Sequence, residues 1–323
     1  VMLCGDYTSH GGEVQGESFV SASKAIMDSI NVGKPEGEKT KFIMSYGNHD
    51  TEWNGQMSYS EWETMFNQYS LLDDVTTGPE NSGCYKMTVE KNGKTYYFFS
   101  LETETYNNPS NTFRTDVLEW LDSELNAAVT ANPNSYVYIV SHGPIKESGV
   151  YGADKNFEIN ADWGTAEAGY TGSVTRDGVT YSTSSDINGV LSKYPQVMYF
   201  SGHTHFTNFL ESTIMSKDYT VVTVGSLYGA DYFSSASNYL GGSNFTEKPG
   251  YALYIEVDQN GNQRIKRVAN PFDYASTTVT YAEEREGVAN PAYGGAGEPE
   301  TLNGVVVGKV TVNSTSEVTT TLE

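Results

Sequence analysis

Histidine is scarce in this chain, with five among 323 residues. Cations are scarce too: 19 Lys and Arg stand against 41 Asp and Glu, a net charge of −22. That balance excludes nucleic acid as the main partner, because neutralising its phosphates takes clustered Lys and Arg. It leaves room for a small phosphorylated substrate, since bound metal ions supply positive charge locally. The two cysteines, Cys4 and Cys84, build no disulfide framework. Cys4 lies in an apolar run and reads as a buried free thiol, with a Cys4–Cys84 bridge as the alternative. No apolar run approaches the ~20 residues that a membrane-crossing helix needs. Mean hydropathy of −0.46 and 37% hydrophobic residues suit a globular protein. Tyr is abundant at 24, Asn, Ser, Thr and Gly are plentiful, and Lys is rare, a balance that points to a secreted or cell-surface protein.

Against this scarcity, the placement of the histidines is informative. Four of the five fall inside three short motifs: GNHD at Gly47–Asp50, SHGP at Ser141–Pro144 and SGHTH at Ser201–His205. Gly5-Asp6 follows the apolar run Val1–Cys4. Asp, Asn and His are ligands that suit Zn, Mn or Fe(II), whereas soft-metal sites want thiolates. His203 and His205 are two apart, so an extended segment would point them the same way. A carboxylate offers two oxygens and a full charge, which lets such a side chain bridge two ions spaced about 3.5–4 Å apart. The fifth histidine, His10 in Tyr7–Gly12, reads as an exposed loop residue.

Hydrophobic spacing predicts the elements around these motifs. Val1–Gly5, Lys41–Tyr46, Tyr136–Val140 and Gln196–Phe200 read as strands that deliver Asp6, GNHD, His142 and SGHTH. Val14–Ile30 has helical spacing, with Val14, Phe19, Ala22, Ala25, Ile26 and Ile30 as its apolar positions. Ser58–Tyr69 reads as a helix capped by Ser60. Asn92-Gly93 joins Cys84–Glu90 to Thr95–Leu101 as a hairpin. Asn111–Ala131 is the strongest helix, with Phe113, Val117, Trp120, Leu121, Leu125 and Ala128 on one face. Ile187–Lys193 reads as a short helix, and Tyr219–Val224, Tyr251–Val257 and Gln263–Val268 as further strands. Gly143–Asp186 and Ser226–Gly250 read as long loops that rim a site. The expected division is a main domain over 1–275 and a C-terminal extension, or the start of an added β segment, over 276–323, ending in a Thr-rich stub.

Taken in order, GD…GNHD…H…GHTH resembles the calcineurin-like metallophosphoesterase superfamily, from Asp6 to His205, about two thirds of the chain. Leu118–Leu125 also looks like the helix that precedes the isolated metal His in that family. The resemblance implies an α/β fold of two packed mixed β-sheets flanked by helices, a four-layer α-β-β-α sandwich. It implies a metal-dependent hydrolase of phosphomonoesters or phosphodiesters, with a metal-bound hydroxide attacking phosphorus. It implies two divalent transition metal ions (Mn, Zn or Fe) in the intact protein. Asp6 would bridge them, Asn48, His142 and His203 would complete the second site, and His205 would serve the first. His49 matches the family's catalytic His, which assists the leaving group. Asp50 would hold its imidazole, with turn capping as the alternative.

The chain also departs from the family's pattern. The family's first strand carries an Asp-x-His pair that ligates the first metal, and here the chain opens at the following strand, Val1–Cys4. The expectation is a fold lacking its first strand, holding one ion or none, with the missing strand upstream in a parent protein. Purple acid phosphatases place a Tyr three residues after the bridging Asp; that position is Ser9 here, and Tyr7 has the wrong offset. The tyrosinate subgroup is therefore not the one resembled. A non-catalytic secreted or cell-surface binding protein that keeps the fold and binds through its aromatic-rich loops is the alternative reading. A serine hydrolase would want a G-x-S-x-G elbow, which the sequence does not contain.

Overall fold

The computed structural model of the chain describes residues 1–8, 11–51, 57–72, 74–104, 112–145, 169–203, 214–216, 218–224, 249–259, 263–271, 278–282, 285–286, 300–302, 305–307, 311–312 and 317–321. The chain divides into two units. The first comprises residues 1–147, 158–203 and 217–219, and the second 148–157, 204–216 and 220–323.

The first unit runs β1 (Met2–Cys4), α1 (Glu13–Asn31), β2 (Ile43–Ser45), α2 (Asn48–Thr51), α3 (Tyr59–Gln68), β3 (Val75–Thr77), β4 (Tyr85–Lys91), β5 (Lys94–Leu101) and β6 (Phe113–Arg114). It continues through α4 (Thr115–Ala131), β7 (Tyr136–Ser141), β8 (Thr171–Arg176), β9 (Val179–Ser184), α5 (Ile187–Leu191) and β10 (Val197–Ser201). Strands β10, β7, β5, β4 and β3 lie side by side in that order. β5, β7 and β10 are parallel, with Leu101 opposite Ser141 and Ser141 opposite Ser201. β4 and β3 extend the sheet antiparallel. β1 and β2 form a separate parallel pair, with Cys4 opposite Ser45.

Alternation along β5 sets the layers, because successive side chains point to opposite faces of a sheet. Ser100 Oγ donates to the Met44 carbonyl of β2 at 2.7 Å. Its neighbour Phe99 packs edge-on against Trp120 of α4, with ring centroids 5.9 Å apart. One face of the sheet therefore meets β2 and the other meets α4. Beyond the β1–β2 pair come α1 and α3: Tyr7 stacks on Phe19 at 4.4 Å, and Tyr46 stacks on Phe66 at 5.8 Å. The core is aromatic-rich, with Trp62, Phe66, Phe99, Phe113, Tyr199 and Phe200 fully buried. Both cysteines are buried free thiols, and burial pushes the Cys4 thiol up to about 12.

The structure revises several boundaries. The cap of α3 is Ser58, not Ser60. Ser58 Oγ accepts from Glu61 N, and the Glu61 carboxylate accepts from Ser58 N at 2.7 Å, a reciprocal capping box. α4 begins at Thr115 rather than Asn111, because Phe113 and Arg114 pair as a strand with Ser184 and Thr183 of β9. α1 forms as its spacing predicts, but it buries Gly16, Val20 and Ser23, while Val14 and Ile26 are exposed. Gly16 fits there because a Cβ at that position would stand 3.0 Å from the Trp62 ring of α3. The expected loop 143–186 contains the hairpin β8–β9, turned by Asp177-Gly178 with both residues at positive φ. That dipeptide is a hairpin signal of the same kind as Asn92-Gly93. The expected loop 226–250 lies outside the described residues, save its last two.

In the second unit, β11 (Ile214–Ser216) pairs antiparallel with β12 (Thr220–Thr223). A long hairpin follows, β13 (Pro249–Val257) with β14 (Gln263–Pro271), and Ile265 at its centre is buried. Then come β15 (Thr278–Ala282), β16 (Arg285–Glu286), β17 (Glu300–Leu302), β18 (Val305–Val307), β19 (Thr311–Val312) and β20 (Glu317–Thr321). β18 adds to β14 in parallel, while β17–β18, β15–β20 and β16–β19 are antiparallel pairs.

Candidate metal centre

Four strands of the first unit, in two parallel pairs, end at one place. Asp6 follows β1, Asn48 follows β2, His142 follows β7 and His203 follows β10. Ligand sites in parallel sheets form where the carboxyl ends of strands converge. Here β1 lies beside β2 and β7 beside β10, so the four turns are neighbours in two pairs.

The side-chain atoms meet closely. His142 Nε2 lies 3.1 Å from Asp6 Oδ2, 3.2 Å from Asn48 Oδ1 and 3.1 Å from His203 Nδ1. His203 Nδ1 lies 3.0 Å from Asn48 Oδ1. The other nitrogen of His142, Nδ1, is 2.5 Å from the Cys4 carbonyl. A carbonyl only accepts, so Nδ1 carries a proton and Nε2 is the nitrogen turned toward the cluster. A carboxylate oxygen, an amide oxygen and two imidazole nitrogens thus face one another. Atoms of these types ligate divalent ions. Ligands about 2.0–2.1 Å from one ion stand roughly 2.8–3.4 Å apart at octahedral or tetrahedral angles, so the donor set fits a divalent ion. Burial opposes charge on His142, but the adjacent Asp6 carboxylate outweighs it and raises the imidazole pKa, the same demand for positive charge seen from the ring's side.

The backbone gives a further sign. Asp6 and His203 both sit at left-handed φ, 57° and 67°. Such conformations in non-glycine residues gather at functional sites, where surrounding structure holds them. The glycines of the motifs allow the close approach. A Cβ on Gly5, itself at φ 83°, would stand 2.6 Å from both Gly47 N and His142 Nδ1. One on Gly47 would overlap the Asp6 side chain.

His49 is on the one-turn helix α2, and its backbone N–H donates to Asp6 Oδ1 at 3.0 Å. Asp50 is fully buried, and burial, reinforced by Asp6, raises its pKa to about 6. Its carboxylate accepts from Tyr7 N at 3.3 Å, Thr8 N at 3.0 Å, Thr8 Oγ at 3.0 Å and Gly47 N at 2.9 Å. Asp50 therefore ties the Asp6 loop to the Asn48 turn. The Tyr7 hydroxyl bonds to the carbonyls of Leu3 and Ser45, and burial raises its pKa well above the usual value. His205, His10 and Ser9 lie outside the described residues. Sequence reasoning missed Thr8 and the Cys4 carbonyl as supports of the site. A carbonyl leaves no mark in residue type, and a threonine two residues after an aspartate is too common to stand out.

No helix among the described residues is long and apolar enough to cross a membrane. A comparison with curated proteins finds no match. Among solved structures, the chain is similar to a Staphylococcus aureus protein assigned as a 5′-nucleotidase, in complex with alpha-ketoglutarate. Identity is 13% and TM-score 0.41, over 82% of this chain and 43% of that one. It is also similar to GAP50, the anchor in the inner membrane complex of Plasmodium, with 13% identity and TM-score 0.38 over 95% of this chain and 90% of that one. The chain thus spans less than half the length of the first of these, 43%. The family model described as calcineurin-like phosphoesterase matches residues 1–206, well over half of the chain, and the chain belongs to that family.

Proposed function

We propose that this chain carries the metal centre of a hydrolase acting on phosphomonoesters or phosphodiesters. The observation that carries the reading is the convergence of Asp6 Oδ2, Asn48 Oδ1, His142 Nε2 and His203 Nδ1, atoms of the types that ligate a divalent ion. These four would hold one divalent ion, Mn, Zn or Fe. In the family's dinuclear arrangement, His205 would serve a second. When bound, such ions supply Lewis acidity and a nucleophile of hydroxide strength at neutral pH.

The chain's own residues supply the rest. Cys4 O accepts from His142 Nδ1, which turns Nε2 toward Asp6, Asn48 and His203. Asp50 clamps the two loops that carry Asp6 and Asn48. His49 follows Asn48 directly and is half-buried. We assign its imidazole the proton that the departing alkoxide takes up. The fold reading that accompanies this function is the family's four-layer α-β-β-α sandwich, with residues 1–275 as its domain.

The test is calorimetric titration of the chain with Mn(II) and Zn(II), alongside hydrolysis of p-nitrophenyl phosphate and bis-p-nitrophenyl phosphate. Binding that is lost in His203→Ala, with hydrolysis lost alongside it, supports the reading. Saturable ion binding that survives both His203→Ala and Asp6→Ala would sink the site. His49→Ala should keep its ion and lose turnover; loss of the ion instead would make His49 a ligand.

A further inference from the structure

Asn48 stands at the end of a short arm, Tyr46–Gly47, whose two successive backbone amides are held by different buried carboxylates. Gly47 N donates to Asp50 at 2.9 Å. Tyr46 N lies 3.0 and 3.1 Å from the two oxygens of Glu102, just past the end of β5. Glu102 is 1% exposed, and among the described residues no Lys or Arg pairs with it. Leaving a carboxyl group in such a place is costly without a compensating role.

Its surroundings share one task. Ser100 Oγ donates to Met44 O at 2.7 Å and lies 3.4 Å from Glu102 Oε1. The Tyr85 hydroxyl accepts from Met44 N at 2.7 Å and donates to Met44 O at 2.8 Å. Glu102 N donates to Cys84 Sγ at 3.3 Å. β4 and β5 thus grip β2 by polar bonds at Met44 and again at Tyr46, two residues before Asn48. β5 also aligns with β7, which delivers His142.

We propose that Glu102 is a positioning residue of the metal centre: it fixes the Tyr46–Gly47 backbone and so sets where Asn48 Oδ1 meets His142 and His203. This rests on the metal reading above. Groups that orient ligands from behind, without touching the ion, govern affinity through geometry. Burial pushes the Glu102 carboxyl well above the usual range, so glutamine is a close mimic of its neutral form.

Three substitutions separate the roles. Glu102→Gln keeps an oxygen within reach of the Tyr46 amide. Glu102→Asp withdraws the carboxyl by one methylene. Glu102→Leu removes the acceptor and fills the space. Two measurements are made on each: hydrogen exchange of the Tyr46–His49 amides in metal-free protein, and calorimetric affinity for Mn(II) and Zn(II) alone. The Asp and Leu variants are expected to lose protection at Tyr46 and Gly47 and to bind the ions about 10–100-fold more weakly. The Gln variant is expected to stay near wild type in both. If Glu102→Leu does not fold, the Gln and Asp pair carries the test. Folded Asp and Leu variants with wild-type affinity overturn the proposal, as does a Gln variant as impaired as Asp. A wild type that binds neither ion is the failure of the metal reading. The exchange data then decide alone whether Glu102 anchors the arm, with unchanged protection in the Asp variant overturning it.

Discussion

Two regions of the first unit use the same left-handed backbone for different reasons. In the hairpins, Asn92-Gly93 and Asp177-Gly178 take positive φ, 54° and 71° in one and 48° and 79° in the other. Two-residue hairpin turns demand that shape, and these residue types accept it. A Cβ on Gly93 or Gly178 would meet nothing within 4 Å. At the metal centre, Asp6 and His203 take positive φ among atoms from other strands. A Cβ on the adjacent Gly5 would stand 2.6 Å from Gly47 N and His142 Nδ1. The hairpin conformation is written locally, whereas that of the candidate centre is held by four converging strand ends. The comparison predicts that changes at the two places will be felt differently.

The largest contrast lies in ion binding. Asp6→Ala and His203→Ala each remove a donor atom and should lower Mn(II) or Zn(II) affinity by more than the about 10–100-fold that follows removal of an orienting group. Asp177→Ala should leave affinity unchanged. Calorimetry checks both, and a Asp6→Ala protein with native affinity would break the comparison. Next comes Gly5→Ala against Gly93→Ala. At Gly93 the added methyl meets open space, so the cost is the backbone strain of about 1–2 kcal/mol. At Gly5 the same strain is joined by about 1–3 kcal/mol of overpacking, because backbone and a buried ring cannot give way cheaply. Denaturant unfolding should show Gly5→Ala as clearly the less stable of the two, with weakened ion binding only there.

What the sequence made legible follows the same division. The strands that lead to Asp6, Asn48, His142 and His203 are apolar runs stopped by glycine or serine, and β2, β7 and β10 are readable because burial on both faces leaves a continuous hydrophobic signature. Motif order marks the residues at those strand ends. The hairpin β8–β9 was hidden inside a polar stretch, where Thr and Ser with little burial give no alternation to follow. Its Asp177-Gly178 turn was the available signal. The buried face of α1 includes Gly16, set against Trp62, and Ser23, so the hydrophobic positions do not mark the packed side. Glu102 carries no motif at all, since its meaning depends on the amide of Tyr46, which is 56 residues away in the chain.

Two further substitutions sharpen the contrast at smaller scale. Asp50→Asn replaces two acceptor oxygens by one oxygen and an amide. Each Asp50 oxygen now accepts from two donors, Thr8 N and Oγ on one side and Tyr7 N and Gly47 N on the other. Whichever way the amide turns, one pair of donors meets an N–H, so a loss of about 1–3 kcal/mol is expected on unfolding, together with weaker ion binding. Ser58→Ala is the smallest change and the local one. It removes the Oγ that accepts from Glu61 N at the start of α3, a bond written within four residues of sequence. Such a cap contributes about 1 kcal/mol. The expected result is that modest loss of stability with ion affinity unchanged. A Ser58→Ala protein that lost its ion would show that α3, through the bond from Trp62 Nε1 to the Asp50 carbonyl at 3.1 Å, belongs to the metal centre's support rather than to the locally written part of the fold.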